Sequence, residues 1–300
     1  FFIYFTKHLI SPLLIIAKKD EYMKRKLTIF LIMTLIILIF KNYTLVLEST
    51  INGVSIWLYK VFPYLFIMII IQDLLINLNL TSIFKNPSTY IFIMSIISGT
   101  PSSAYIISKL VKDNEISSNY GNICLIFTFF ANPLFLFTIL NLIFNSLFTT
   151  IKLLLIIYIS NFIIYLYFKK DLPLCNINGK SKNINISSSI KTSINTNLMV
   201  LGSIIFYLVI SSIIINTFNI SYPFDIFIKG ILEMTQGLNS LINLNIKFKE
   251  IIAIFFITFG GFSIHTQVKC ILDEQDLNYK YFLKGRIIQA IIVIILTALT

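Results

Sequence analysis

Ser98-Gly99-Thr100-Pro101-Ser102-Ser103 is a small, polar, helix-breaking patch in the middle of an uncharged run from Thr89 to Ser108. A lipid-facing backbone does not tolerate such a break, because each unpaired N–H or C=O in hydrocarbon costs several kcal/mol; the patch is therefore expected inside protein or beside a wet cavity. We read the run as two half-helices meeting at Ser98 to Ser103 in a re-entrant hairpin, with a straight 20-residue span as the alternative. A second patch, Phe259-Gly260-Gly261-Phe262-Ser263, follows 161 positions later. In a gap-free register Gly99 falls on Gly260, Ser102 on Ser263, Glu115 on Asp276 and Gln72 on Glu233.

Around these patches the 300 residues are 57% hydrophobic and 12% charged, with mean hydropathy +0.86. A soluble domain carries about 25% charged residues, so the composition predicts an all-α polytopic membrane protein. The net charge of +11 resides mainly in short polar connectors, where Lys and Arg orient a chain in the bilayer; the expected partner is lipid and not nucleic acid. Cys124, Cys175 and Cys270 have neither metal-site spacing nor a pairing pattern. Two histidines 257 residues apart, without His-Glu-x-x-His or Gly-x-Ser-x-Gly, speak against a hydrolase. The expectation is a non-enzyme with no catalytic residue, metal or cofactor.

In chain order, residues 1–26 form a segment of uncertain role, with 1–22 read as upstream of a native start at Met23-Lys24-Arg25-Lys26. Residues 27–168 are read as a first half. It comprises a span from Leu27 to Leu47, an amphipathic interfacial helix from Glu48 to Lys60 with Trp57 at headgroup level, and a span from Val61 to Leu80 with Gln72 and Asp73 deep in it. A hairpin near 89–111, a kink at Asn132-Pro133 and a span from Ser146 to Phe168 follow. Residues 169–197 are a lysine-rich connector, read as cytoplasmic, whose end from Ile186 suggests a second interfacial helix. Residues 198–300 are the second half, with a hairpin near 251–271; the final run from Ile287 is 14 residues, so the sequence is expected to stop inside a span.

If Lys18 to Lys26 and Lys169 to Lys191 both face the cytoplasm, an even number of crossings separates them, which holds when the first patch does not cross. The halves are then inverted copies with two re-entrant hairpins, the pattern of secondary transporters whose substrate site lies where broken helices meet. In that count Lys269, Lys280, Lys284 and Arg286 fall outside, against the positive-inside rule.

Five motifs carry a resemblance: Trp57-Leu58-Tyr59-Lys60-Val61-Phe62-Pro63-Tyr64-Leu65-Phe66, Ser98-Gly99-Thr100-Pro101, Ala131-Asn132-Pro133-Leu134-Phe135, Gly230-Ile231-Leu232-Glu233-Met234-Thr235-Gln236-Gly237 and Phe262-Ser263-Ile264-His265-Thr266-Gln267-Val268. In this order they resemble the YlbJ-type sporulation integral membrane proteins, which belong with the nucleoside-recognition Gate domains and look distantly like concentrative nucleoside transporters. The family's Ser-Gly-Tyr-Pro-x-Gly pattern is here Ser98-Gly99-Thr100-Pro101-Ser102-Ser103, without its aromatic and its later glycine. The resemblance implies a role in endospore formation, in a membrane around the developing spore, and movement of dipicolinic acid into the forespore.

A small planar dianion calls for N–H donors and hydroxyls. Half-helix N-termini after Gly99 and Gly261 offer the former, and Thr100, Ser102, Ser103 and Ser263 the latter; no arginine clamp is evident within a span. Gly260, Asn132, Thr235, Gln236, His265 and Gln267 complete the expected substrate-binding set, with Glu233 and Asp73 as ion-coupling or gating acids. Each has a plainer reading. Small residues at breaks also serve helix packing, Glu233 would sit at the interface beside Asp225 and Lys229, His265 would be a hydrogen-bonded structural residue, and Asn132 and Gln267 would satisfy broken backbone. A nucleoside transporter, with Phe130 or Phe262 stacking on a base, and a non-transporting assembly factor are the alternatives. The pattern also accommodates a homo-oligomer.

Overall fold

The structure is a computed structural model that describes residues 2–80, 84, 86–173, 185–242 and 244–300, with side chains from residue 22 onward. All regular elements among the described residues are helical. The chain divides into Phe1–Glu48 and Ser49–Thr300. The first unit holds α1 (Phe2–Lys41) and the opening of α2 (Tyr43–Ile56). Leu27, Phe30, Ile37 and Phe40 on α1 are exposed. Helical hydrogen bonds pass through Asn42 into α2, so no span boundary falls at Leu47. The reading of residues 1–22 concerns a stretch whose side chains lie almost wholly outside the described residues.

α2 continues through a π-helical turn, Trp57–Val61, into α3 (Phe62–Asn77), so that Tyr43–Asn77 is one run of 35 residues. The separate interfacial helix at Glu48–Lys60 is therefore not formed. Pro63 has no N–H to offer the preceding turn; the helix absorbs this by widening, with Phe62 N–H reaching the Trp57 carbonyl. The Trp57 indole donates to the Asn197 carbonyl (3.0 Å) and not to a headgroup.

Next come α4 (Pro87–Ser98), α5 (Ser102–Lys112), α6 (Ser118–Phe127), α7 (Pro133–Phe144) and α8 (Leu147–Phe168). They are followed by α9 (Ile186–Thr217), α10 (Phe224–Leu232), α11 (Met234–Ser240), α12 (Lys249–Phe259), α13 (Gly261–Asp273) and α14 (Tyr279–Leu299). Five runs among the described residues are long and apolar enough to cross a membrane. Asn185 caps α9 through Ser188 N (3.1 Å). The helix then continues for 32 residues, so the expected interfacial helix is its first turns. Residues 174–184 of the connector, with Cys175, Lys180 and Lys182, lie outside the described residues. Asn278 caps α14 at Lys280 N (3.0 Å). Lys280, Lys284 and Arg286 are thereby taken into a 21-residue helix, in place of the 14-residue run read from the apolar stretch alone.

Side-chain contacts give the second unit two ends. At one, Asp73 of α3 meets Ser189 of α9 (2.6 Å) and Lys109 of α5 (2.5 Å), and Ser108 reaches the Ile271 carbonyl of α13 (3.4 Å). At the other, Lys152 of α8 pairs with Glu250 of α12 (2.6 Å), and Lys249 bonds the Ile143 carbonyl of α7 (2.8 Å). α3 and α9 are antiparallel, with Ser49 on Ser212 (2.9 Å) far from the Asp73 contact.

The order long helix, broken pair, broken pair, long helix occurs twice: α3, α4/α5, α6/α7, α8, then α9, α10/α11, α12/α13, α14. α4 packs on α5, and α10 on α11, where a side chain on Gly237 would overlap the Gly230 backbone. α12 and α13 instead run from the Glu250 end to the Asp73 end as 25 residues interrupted only at Gly260. The fold-back expected near 251–271 is thus at Glu233. A glycine interrupts a helix without fixing the direction in which it resumes; here α12 is held by α14, and α13 by α9 and α5. The gap-free register has the same explanation. It aligns α5 with α13, which exit at one end and share a helix, acid and turn with left-handed Asn114 and Asp276. Element order instead matches the Gly99 break with Glu233, and Asn132-Pro133 with Gly260.

Candidate functional site

Each break frees backbone groups, and neighbouring elements take them up. Thr100 N–H donates to the Phe130 carbonyl (2.7 Å), which ties the α4/α5 tip to the α6/α7 break. Gly99 has φ 75°, and a Cβ there would lie 2.8 Å from Asn132 N; only glycine fits. Asn132 Oδ1 accepts from Leu134 N (3.0 Å) and Phe135 N (3.2 Å), capping α7. The Asn161 amide donates to the Phe129 carbonyl. In the second half Glu233 Oε2 accepts from Gln236 N (2.7 Å), capping α11. His265 bonds the Phe259 carbonyl through Nε2 (2.9 Å) and Tyr279 Oη through Nδ1 (2.5 Å).

Three of the four breaks line one cavity of about 90 Å³, and the fourth, at Gly260-Gly261, packs on two of its lining residues, Phe129 and Met234. Ser98, Thr100 and Pro101 come from the first tip, Phe129 and Asn132 from the α6/α7 break, Glu233 and Thr235 from the second tip, and Ile264 and Gln267 from α13, with Lys60 at the wall. Of the expected site residues, Thr100, Asn132, Glu233, Thr235 and Gln267 line it. The others surround it. Ser102 is buried and donates to Gln72. Ser103 pairs with Thr100 (3.3 Å), Gln236 accepts from Ser211 (2.8 Å), and Ser263 accepts from Gln267 (3.2 Å). Gly260 faces the Phe129 ring, and Gly261 is a close crossing where a Cβ would come 2.9 Å from Met234 N. His265 is engaged by two partners and lies outside the cavity lining. Asp73 is elsewhere, in the ion pair at the end of α3.

Glu233 is 3% exposed. Asp225 and Lys229 pair with each other (2.8 Å). Four helix N-termini point toward the breaks. Asn132 and Glu233 fill those of α7 and α11, whereas α5 and α13 have no side-chain cap. The unfilled pair follows Gly99 and Gly260, so the donors available to an anion are the ones that the two opening motifs create.

Sequence reasoning missed two cations. Lys60 lines the cavity, and its signal was a lysine on an otherwise apolar stretch just before Pro63. Arg286, read as a connector residue, is fully buried on α14. Its guanidinium lies 3.9 Å from the centroid of the Phe129 ring and donates to Gln289, and Nε and Nη2 have no protein partner. No carboxylate pairs with it among the described residues. Replacing both members of such a buried polar pair by apolar chains is close to neutral, whereas removing either one alone strands the other. We expect Arg286→Met and Gln289→Leu each to lower stability by about 2 kcal/mol, because each leaves a buried polar partner unsatisfied, and the double replacement to cost less than their sum, measured by thermal unfolding in detergent.

Five helices long and apolar enough to cross a membrane, among the described residues, define an integral membrane protein. Compared with known proteins, the chain is similar to the sporulation integral membrane protein YlbJ of Bacillus subtilis (strain 168), 25% identical over 304 aligned residues that cover 81% of this chain and 74% of that one. This supports the YlbJ-type resemblance carried by the five motifs. No family model matches the chain, and no solved structure matches it.

Proposed function

We propose that the protein is a secondary-transporter-like membrane protein of spore formation that moves a small anionic metabolite, dipicolinate, across a forespore membrane. The observation that carries this reading is the meeting of two helix fold-backs and the α6/α7 break at one cavity, with α13 completing its wall. Isolated breaks of this kind are costly in lipid, and their convergence is the arrangement of alternating-access transporters. α4/α5 and α10/α11 are the re-entrant hairpins of an inverted repeat, α3–α8 against α9–α14. Lys109, Lys112, Lys169, Lys170, Lys269, Lys280 and Lys284 then share the cytoplasmic end. Because α12 and α13 form a crossing, Lys269, Lys280 and Lys284 no longer contradict the positive-inside rule.

Lys60 and the uncapped N-termini of α5 and α13 supply positive potential for a dicarboxylate, with Thr100, Asn132, Thr235 and Gln267 as neutral hydrogen-bonding groups. Glu233 occupies the α11 N-terminus and is placed to couple or gate, not to hold an anion. The cavity is well below the roughly 300–1,000 Å³ of ligand pockets. In this reading it is a contracted state, and the tips separate to admit substrate. Phe129 beside Asn132 and Gln267 would also suit a nucleoside, which makes uridine the comparison substrate.

The test is flux of labelled dipicolinate and uridine into proteoliposomes, with and without Glu233→Gln, whose amide oxygen still caps α11. Dipicolinate uptake reduced at least about tenfold in the variant, roughly 1.4 kcal/mol at the barrier, is the expected result. Uridine uptake alone would transfer the assignment to nucleosides. Flux of neither from folded protein would leave an assembly factor.

A further inference from the structure

A second cavity, of about 460 Å³, opens at the Asp73 end. Three helices that line the first cavity also line this one: α3 (Asp73, after Leu65), α9 (Thr196 and Met199, before Val200) and α13 (Cys270 and Ile271, after Gln267); α5 adds Tyr105, four residues past its N-cap Pro101, which lines the first. Along α5 and α13 about one helical turn, roughly 5.4 Å, separates the two linings. Tyr105 and Met199 both line the lower cavity and pack against the cluster containing Leu65, Val200 and Ile204, which walls the upper one.

We propose that the two cavities are parts of one solute route through α3, α5, α9 and α13, closed by a thin partition of Tyr105 and Met199 that the Asp73–Lys109 ion pair holds in place. This rests on the transport reading above and adds the path and its barrier. The partition is pinned at its rim: the Tyr105 hydroxyl donates to Asp73, which also binds Lys109 (2.5 Å) and Ser189 (2.6 Å) and so joins α3, α5 and α9. Opening by α5 has to break these contacts together. Nothing about the lower cavity selects one sign of charge, since Lys109 and Lys112 stand beside Asp73, Asp113 and Glu274. It is an antechamber for a small hydrophilic solute, with selection at the upper cavity.

The test needs no flux. In a background with Cys124, Cys175 and Cys270 replaced by serine, Val200→Cys reports the upper cavity. Restoring Cys270 alone reports the lower one. Inside-out membrane vesicles are treated with a membrane-impermeant thiol reagent. Cys270 is expected to react rapidly throughout, and Val200→Cys slowly. Tyr105→Ala with Met199→Ala should speed Val200→Cys at least about tenfold, the equivalent of removing roughly 1.4 kcal/mol of barrier. Lys109→Met, which loosens the rim without emptying the partition, should speed it by a smaller factor and serves where the double variant folds poorly. A Val200→Cys rate unchanged by either variant, or a shielded Cys270, overturns the route. Missing dipicolinate flux together with the expected labelling would remove the substrate and leave the route standing.

Discussion

Gly99→Val is expected to lower the unfolding midpoint of the detergent-solubilised protein by on the order of 10 °C, from a loss of about 3–4 kcal/mol. Two costs add. A β-branched residue at φ 75° is strained by about 1–3 kcal/mol. Its Cβ would also stand 2.8 Å from Asn132 N, 3.1 Å from Asn132 Cα and 3.2 Å from the Ala131 carbonyl carbon. All three are backbone atoms, so no flexible side chain can yield. Relief requires the α4/α5 tip to leave the α6/α7 break, at the expense of the Thr100–Phe130 hydrogen bond. A valine variant melting within about 2 °C of the parent would show that this crossing does not exist.

Gly237→Val should be at least as damaging, by more than about 4 kcal/mol, because its side chain would occupy the space of the Gly230 backbone on the opposing arm of the second fold-back. The matched control is Gly202→Ala on α9, where no atom lies within 4 Å of the added carbon. There the gain in helix propensity, roughly 0.8–1.0 kcal/mol, is expected to appear unopposed. Thermal unfolding of the pair separates close packing from a general intolerance of glycine replacement. Equal losses at both positions would contradict the fold-back at Glu233.

Apolar stretches and breaks were legible in the sequence because they are local. The uncharged run around Gly99, Asn132-Pro133 and the patch at Gly260 all mark real interruptions, and four of the expected binding residues and the expected gating acid Glu233 line one cavity. What a break does next is not local. Gly260 looked like a turning point and Glu233 like an isolated acid, yet the chain continues past the first and reverses at the second. Gly230 and Gly237 allow α10 and α11 to touch, and nothing equivalent holds α12 to α13. Charged residues misled in a similar way. Arg286 reads as loop because of its neighbours Lys280 and Lys284, but a cap at Asn278 starts the helix early and carries the guanidinium inside, over Phe129. The signal available beforehand was the i, i+3 spacing of Arg286 and Gln289, which puts them on one helix face, with Lys280 and Lys284 at i, i+4 on another. Asp73 was grouped with Glu233 because both are acids in apolar runs. Their separation became visible only when α5 and α9 were seen to supply Lys109 and Ser189.

Glu233 also has an electrical consequence. In the transport proposal, Glu233 at the tip of a moving hairpin would, when ionised, be a charge on a lever working against the membrane potential. Carrying one elementary charge across the full potential takes about 2.3 kcal/mol per 100 mV. If an ionised Glu233 moved through a third of that field, the opening equilibrium would shift by roughly 0.8 kcal/mol per 100 mV, about fourfold in population. Gln236 N–H stays bound to the same side chain, so the charge and the helix end would travel as one body. Protonating the carboxylate would disconnect the hairpin from the voltage without altering its shape.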